Sequence, residues 1–373
     1  MESMIEKTFV GLDVHRKSVY ATALDVLGTL VSQERFGATD AELIGYLGRL
    51  PGRKHVVLEA CTLWEHFFDA AEATGASVVL SNPYRTRLIA EASLKTDRLD
   101  SEALATLLRL NSVPLSYAPP PEVRALRNLV RERVYYRREA VSIKNHVYSF
   151  LLRRGIEYED RILNLCRKRE VLRDLHIDEV DRGLESLVSM EATCKGLDKK
   201  IHAAWSASPE AQLLSTIPGI GEFISLALVA FLCPIERFSS VDKVSSYVGL
   251  VPSTRQSGES EHHGHIKRDS VALLRWVLVE AAWIHRRRVP RGTVAKVARR
   301  VTRRRGYGKG SVAGAHALLK LVFAMLKHRE PFRTDAPRPS TAETTLRRPR
   351  ATAGKRVQRA ALGSSTAKSL PAP

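Results

Sequence analysis

The sequence predicts an α/β domain followed by all-α domains, and three observations carry that prediction. Residues 8–36 hold three β-rich runs separated by tight turns. Short apolar runs then alternate with helical periodicity to about residue 111. Residues 122–205 are nearly free of Pro and Gly and space their apolar residues among dense Arg and Glu, the pattern of long amphipathic helices.

The elements follow in order. Thr8–Val14 is a β-rich run, Ser18–Asp25 alternates before the turn Leu27-Gly28-Thr29, and Leu30–Phe36 completes a meander. A helix is predicted over 39–50, closed by Pro51-Gly52. His55-Val56-Val57-Leu58-Glu59 reads as a buried strand by its length and flanks. A helix over 62–74 stops at Gly75, and Ser77–Leu80 is a fifth strand ended by Asn82-Pro83. Helical spacing resumes from Asp97 to about Asn111. A meander followed by alternating strands and helices is the order of a ribonuclease-H-like fold. Pro114 to Pro121 breaks the pattern and sets the first boundary. Beyond it a strongly basic helix, carrying Arg131, Arg137 and Arg138, breaks near Gly155 and resumes to about Trp205, a coiled-coil arm. Residues 212–330 read as compact and helical, and from Arg333 the chain turns to Pro, Ser, Thr, Ala and Arg, a disordered basic tail. The expected domains are 1–113, 114–207, 208–332 and 333–373.

Lys and Arg number 59 against 40 Asp and Glu, a formal net charge of +19 that favours polyanions, of which nucleic acid is the usual one. Cys61, Cys166, Cys194 and Cys233 are scattered with no C-x-x-C pair, which argues against a zinc site. The opening Met1-Glu2-Ser3-Met4 runs straight into a strand pattern, and no apolar run reads as long enough to cross a bilayer. A cytoplasmic protein with reduced thiols, not bound to a membrane, is expected.

Four acids are candidates for chemistry. Asp13 ends the first strand, Glu59 ends the fourth, and Asp97 and Asp100 share one face at a helix start. Carboxylates converging from separate elements are what Mg²⁺ requires, since it takes hard oxygen ligands and retains waters. Paired ions of that kind activate an attacking oxygen and neutralise a leaving one in phosphodiester chemistry. Taken alone, Asp97-x-x-Asp100 reads more readily as a helix cap, with Thr96 or Asp97 as the capping residue.

A second region runs from Tyr247 through Gln256-Ser257-Gly258 to Lys267-Arg268, in an exposed-looking basic loop, with Arg275 on the helix that follows. Serine attacks phosphorus only where its proton is removed and charge is neutralised. Arg255, Lys267, Arg268 and Arg275 can neutralise a phosphate, with Gln256 beside the serine. On spacing alone Ser-Gly is a common turn, and Ser253 and Ser260 are rivals. Upstream, Ile217-Pro218-Gly219-Ile220-Gly221 before an apolar helix reads as the turn of a helix-hairpin-helix, with Gly219 and Gly221 exposing backbone N–H groups to phosphate, or as an ordinary glycine turn between core helices.

These stretches together resemble the insertion-sequence-110 family of transposases: Gly11-Leu12-Asp13-Val14-His15, the strand ending in Glu59, Lys95–Ser101, Ile217–Gly221, Gly249-Leu250-Val251-Pro252, Gln256-Ser257-Gly258 and the late helix Ala313 to Leu326. The similarity runs over about residues 8–330. The resemblance implies a Holliday-junction-resolvase-like N-terminal domain whose Asp13, Glu59, Asp97 and Asp100 bind Mg²⁺. It implies Ser257 as a nucleophile that forms a phosphoserine link to DNA. It also implies donor and target DNA as substrates, a noncoding bridge RNA that supplies sequence by pairing, and a homo-tetramer in which the acids of one subunit meet the serine of another. After Ile266-Lys267 the family has Gly-Asn or Gly-Ser, where this chain has Asp269-Ser270. A metal-dependent, structure-specific nuclease without serine chemistry is the alternative.

Overall fold

The computed structural model describes residues 7–89, 97–257, 260–266 and 270–333, with the backbone alone described over 252–257 and 260–266. The chain divides into two compact units, one ending at Cys194 and the other beginning at Lys195. The expected tail beyond Arg333 lies outside the described residues, as do Thr96, Gly258, Lys267 and Arg268.

The first unit is built on a six-stranded mixed sheet. Strands β1 (Lys7–Val14), β2 (Ser18–Leu24) and β3 (Leu30–Gly37) form the antiparallel meander. β4 (Arg53–Glu59) pairs parallel with β1, and β5 (Ser77–Ser81) parallel with β4. β6 (Leu115–Ser116) closes the order β3-β2-β1-β4-β5-β6. The proline run at 114–121 therefore does not end the sheet: Leu115 and Ser116 pair with Ser81 and Leu80 inside it. Two residues are too few to display a period, so this strand carries no sequence signal.

α1 (Asp40–Arg49) and α2 (Trp64–Ala73) cover one face of the sheet. Leu43, Tyr46, Leu47, Phe67 and Phe68 bury there against Val10, Leu12, Val56 and Leu58. Thr39 caps α1 by accepting from the Glu42 N–H. α3 (Pro83–Ile89), absent from the sequence reading, follows β5 because Asn82 caps it through the Arg85 N–H at 3.1 Å. Pro83, taken as the end of a strand, is also the residue best suited to open a helix. α4 (Asp97–Arg109) covers the other face over β1, β2 and β4. This mixed α/β region has the strand and helix order expected of a ribonuclease-H-like domain.

α5 (Pro121–Arg153) begins against the sheet unit, where buried Arg124 donates to Asp69 at 2.6 Å and lies over Trp64. Its far half packs with α6 (Cys166–Arg173) and α7 (Asp178–Ser206) around Val147, Leu151, Leu163, Leu172, Leu184 and Leu187. The break expected near Gly155 occurs there.

The second unit holds α8 (Pro209–Ser215), α9 (Glu222–Leu232), α10 (Val241–Val248), α11 (Ala272–Arg288), α12 (Thr293–Arg305) and α13 (Tyr307–His328). It is not wholly helical: β7 (Pro252–Ser257) and β8 (Ser260–Ile266) form an antiparallel hairpin where the sequence reads as an open loop. Polar residues dominate both strands, so the apolar alternation that would announce them is missing. Among the described residues α13 alone is long and apolar enough to cross a membrane by length and composition, contrary to the expectation that no run would be. Its apolar face instead packs in this unit's core through Leu318, Leu319, Val322 and Leu326, against α8, α11 and α12.

Candidate functional site

Side chains alternate across a strand, so Asp13 projects from the same face of β1 as Gly11, the face under α4. Leu12 pairs with Leu58 in parallel register, which brings Glu59 to the neighbouring strand end on that same face. Asp97 and Asp100 lie in the first turn of α4. Close packing makes this meeting of strand ends and helix start achievable. A methyl on Gly11 would overlap the Ser101 carbonyl and come within 2.5 Å of the Ala105 nitrogen, both backbone atoms of α4. Fully buried Ser101 is also tied to β2 by a 2.8 Å hydrogen bond with Thr22.

His15, just past the end of β1, joins the acids. Its Nε2 lies 3.0 Å from Asp13 Oδ2 and 3.4 Å from Asp97 Oδ1. One ligand atom from each of Asp13, His15 and Asp97 falls within 4.8 Å of the others. The Asp13 side chain is 18% exposed while His15 and Asp97 are about half exposed, so the cluster has a buried floor and an open mouth. Burial pushes the Asp13 carboxyl above the ordinary 3.8; His15 opposes the rise, and the nearby charges of Asp97 and Asp100 add to it.

These residues fit a divalent cation. The hard oxygens of Asp13 and Asp97, with Asp100 in electrostatic reach and Glu59 at the next strand end, suit Mg²⁺ or Mn²⁺. A half-buried acid crowded by like charges is stabilised by a cation. Of the four expected acids, the three-residue cluster contains Asp13 and Asp97, whereas Glu59 and Asp100 stand outside it. His15 was missed as a site residue, though it stood two residues from Asp13 in the motif. A lone His after a strand has no periodic signature, and only the approach of α4 gives it a second carboxylate.

Ser257 is the last residue of β7, opposite Ser260, with Gln256 opposite Glu261 and Arg255 opposite His262. The hairpin is bracketed by Gly249 and Ser270. Gly249 ends α10 in the left-handed region at φ 75°, and a methyl there would press Ser270 and lie 2.8 Å from Arg275 Nη1. Half-buried Arg275 donates to Ser270 Oγ at 3.0 Å, so it braces one end of the hairpin.

The turn Ile217–Gly221 joins α8 to α9 and is anchored on α11. Gly219, at φ 101°, allows Ala281 O and His285 N to stand 2.9 Å from where its Cβ would be. Buried His285 approaches the Pro218 carbonyl at 2.9 Å through Nδ1, and burial lowers its pKa, so it is a neutral donor. Gly219 therefore has a packing role, while Gly221 is exposed at the start of α9 with open space around it.

Arg131, Arg137 and Arg138 are exposed along α5. On α12, Lys296, Arg299, Arg300, Arg303 and Arg304 line a groove of about 310 Å³. An aromatic–arginine cluster joins α11 to the start of α13: the Trp283 indole N–H donates to the Tyr307 hydroxyl, and Arg286 lies 5.3 Å and 5.4 Å over the two rings. Trp283 and Tyr307 lie 24 positions apart, a distance at which no sequence period operates.

Comparison with known proteins places both regions within matched spans. Residues 10–154 match the DEDD transposase model of the IS110 type, and residues 211–296 match the model of the transposase family IS116/IS110/IS902. The first span contains the whole acid cluster, and the second contains the glycine turn and the serine hairpin. The chain is 23% identical to the transposase for insertion sequence element IS1111A of Coxiella burnetii, over 90% of this chain and 93% of that protein. It is 24% identical to the transposase for IS1328 of Yersinia enterocolitica, over 76% of this chain and 85% of that protein. It is 25% identical to the pilin gene-inverting protein of Moraxella bovis, over 74% of this chain and 81% of that protein.

Proposed function

The chain belongs to the IS110/IS116/IS902 family of transposases, and from that premise we propose that it cuts and rejoins DNA by combining an acid-held metal site with a serine nucleophile. The observation that carries the reading is the convergence of Asp13 and Asp97, with Asp100 and Glu59 alongside, on one open-mouthed face.

In this mechanism Asp13, Glu59, Asp97 and Asp100 hold divalent metal, with Mg²⁺ as the ion proposed. A bound divalent cation supplies charge neutralisation at the scissile phosphate and polarises the oxygens around phosphorus. The Ser257 Oγ attacks the phosphorus, giving up its proton to a base, and forms an Oγ–P bond. The displaced deoxyribose oxygen leaves and is protonated to a hydroxyl. Attack by a hydroxyl of another strand later reverses the linkage and restores the serine. The serine assignment is supported by the position of Ser257 beside a hairpin turn in a basic segment, and by the family resemblance.

Arg255, Gln256, Lys267, Arg268 and Arg275 are proposed to face the phosphate, and Gly219 and Gly221 to present the α8–α9 turn to the backbone. For Gly219 the packing on α11 restricts that role to orienting the turn. Arg131, Arg137 and Arg138 are proposed to contact nucleic acid along α5. A bridge RNA that pairs with donor and target would provide sequence, leaving the protein to read shape and charge. A tetramer in which acids and serine come from different subunits would explain why no base stands near Ser257 in sequence. The cytoplasm is the compartment in which this chemistry would take place.

A covalent-trapping assay tests the reading. The full chain is incubated with Mg²⁺, junction DNA and RNA from the flanking noncoding region, then run on a denaturing gel. The expected result is a protein–DNA adduct lost in both Ser257→Ala and Asp13→Ala. Cleaved DNA without an adduct, unaffected by Ser257→Ala, would identify a structure-specific metal nuclease instead. That second reading is favoured by an acid cluster that lies wholly within one compact unit.

A further inference from the structure

We propose that the helical arm of the first unit contains a pocket for a single unstacked nucleotide of a bound strand. This deepens the reading of the chain as a nucleic-acid enzyme and rests on it. The cavity lies between α5 and the segment that leads into α6, and its volume of about 480 Å³ falls in the roughly 300–1,000 Å³ range of small-ligand sites.

Its lining has the two chemistries a nucleotide needs. Tyr148 and Tyr158 are stacked, with centroids 5.1 Å apart and planes at 29°, and both are half-buried at its wall. A flat, rigid pair of rings can be extended by a base, which stacks on aromatic rings whatever its identity. Cations surround the rings: Arg137 and Arg161 are exposed at the rim, and Lys144 stands deeper. Asn145, Asn164 and Asp160 add donors and acceptors of the kind that read a base edge.

The walls are held in place before any ligand arrives. Arg169, 2% exposed, binds both Glu191 oxygens at 2.8 Å and donates to the Leu163 carbonyl. Glu191 in turn lies 3.3 Å from Lys144, whose ammonium also donates to Asn164 at 3.1 Å. The Leu163 N–H donates to the Tyr148 hydroxyl at 3.4 Å, which fixes one ring. Arg161 itself adopts a left-handed backbone, φ 62°, which a side chain of its size rarely adopts. That conformation is kept at the lip of the cavity, where its guanidinium adds positive charge.

The test uses the full chain and short duplexes carrying one unpaired 2-aminopurine, made as RNA and as DNA, alongside fully paired duplexes. The wild type is expected to bind the bulged duplex about tenfold more tightly than the paired one and to quench the 2-aminopurine fluorescence. Tyr158→Leu removes a stacking ring, and Arg161→Gly removes a cation while relieving the strained backbone, so the second variant keeps the fold secure. Both are expected to abolish the preference and the quenching and to leave affinity for the paired duplex within about twofold. Preference in the RNA arm or the DNA arm supports the pocket and names the strand it serves. Binding without preference, or preference that persists in both variants, overturns the pocket alone. Absence of binding to every duplex at low salt overturns the nucleic-acid reading and the pocket with it.

Discussion

The acid cluster and the serine hairpin place their proposed reactive groups in opposite ways. The acid cluster gathers Asp13 at the end of β1, His15 just past it and Asp97 in the first turn of α4, up to 84 positions apart (13 to 97), through close backbone packing. The hairpin is one contiguous segment, strand and return strand, carried between Gly249 and Ser270. The first therefore depends on the close packing of α4 against β1 at Gly11. The second is local in sequence, paired strand to strand over Pro252–Ser257 and Ser260–Ile266. A site that must hold mutually repelling carboxylates needs the rigid arrangement, because like charges half-buried together push the elements apart unless packing opposes them. On the proposed reading, a serine that must reach a strand needs no such frame.

The largest expected effect bears on the chemistry of both regions equally. Ser257→Ala and Asp13→Asn should each lower strand transfer by about a thousandfold or more, since groups acting as one unit fail together. A variant of either kind with near-normal strand transfer would break the pairing of the two regions in one reaction.

Stability should then separate them. Gly11→Ala forces α4 off the sheet and should cost about 2–3 kcal/mol in urea unfolding, with loss of metal-dependent cleavage. Gly249→Ala strains a left-handed residue but presses mainly on side chains, and should cost about 1–2 kcal/mol. Equal costs, or an intact acid site in Gly11→Ala, would remove the contrast between a packed site and a braced one.

A smaller effect should appear in the pH dependence. Because burial raises the folded-state pKa of Asp13 above its ordinary 3.8, the folded chain binds that proton more tightly than the unfolded chain. Its favourable contribution is complete below about 3.8 and is lost as pH rises through the folded value. Asp13→Asn should therefore be more stable than wild type at neutral pH in the absence of divalent metal, and the advantage should vanish in acid. Thermal melts across pH 3–7 check this window, and an advantage that grew in acid would reverse the sign.

The smallest change concerns the basic surface of the second unit. Replacing Arg299 and Arg303 by Gln should lower the slope of log affinity against log salt by about 1–2 on duplex DNA. An unchanged slope would take the α12 groove out of the nucleic-acid surface.

Much of the acid site was legible because strand ends and helix starts are short-range features. Val10–Asp13 and Val56–Glu59 each announce a buried strand ending in an acid, and Asp97 and Asp100 announce a charged first turn. What could not be read was which of these acids share space. Gly11 looked like one glycine in a strand until α4 was seen resting on it, and His15 gained its second carboxylate only through that approach. The hairpin of β7 and β8 has no sequence signature because its residues are polar on both strands, and β6 has none because it is two residues long.

By itself, the sequence determined the order of the elements, the polyanion-seeking charge and the acids available at element ends, because periodicity, turn chemistry and charge are written in neighbouring residues. Only the tertiary structure decided that Asp13, His15 and Asp97 form one cluster, that Gly219 is held by α11, and that Tyr148 and Tyr158 line a cavity with Arg161. Those facts depend on distances between segments far apart in the chain. Such distances are set by side-chain volume and by how closely two backbones can pack, which no local pattern encodes.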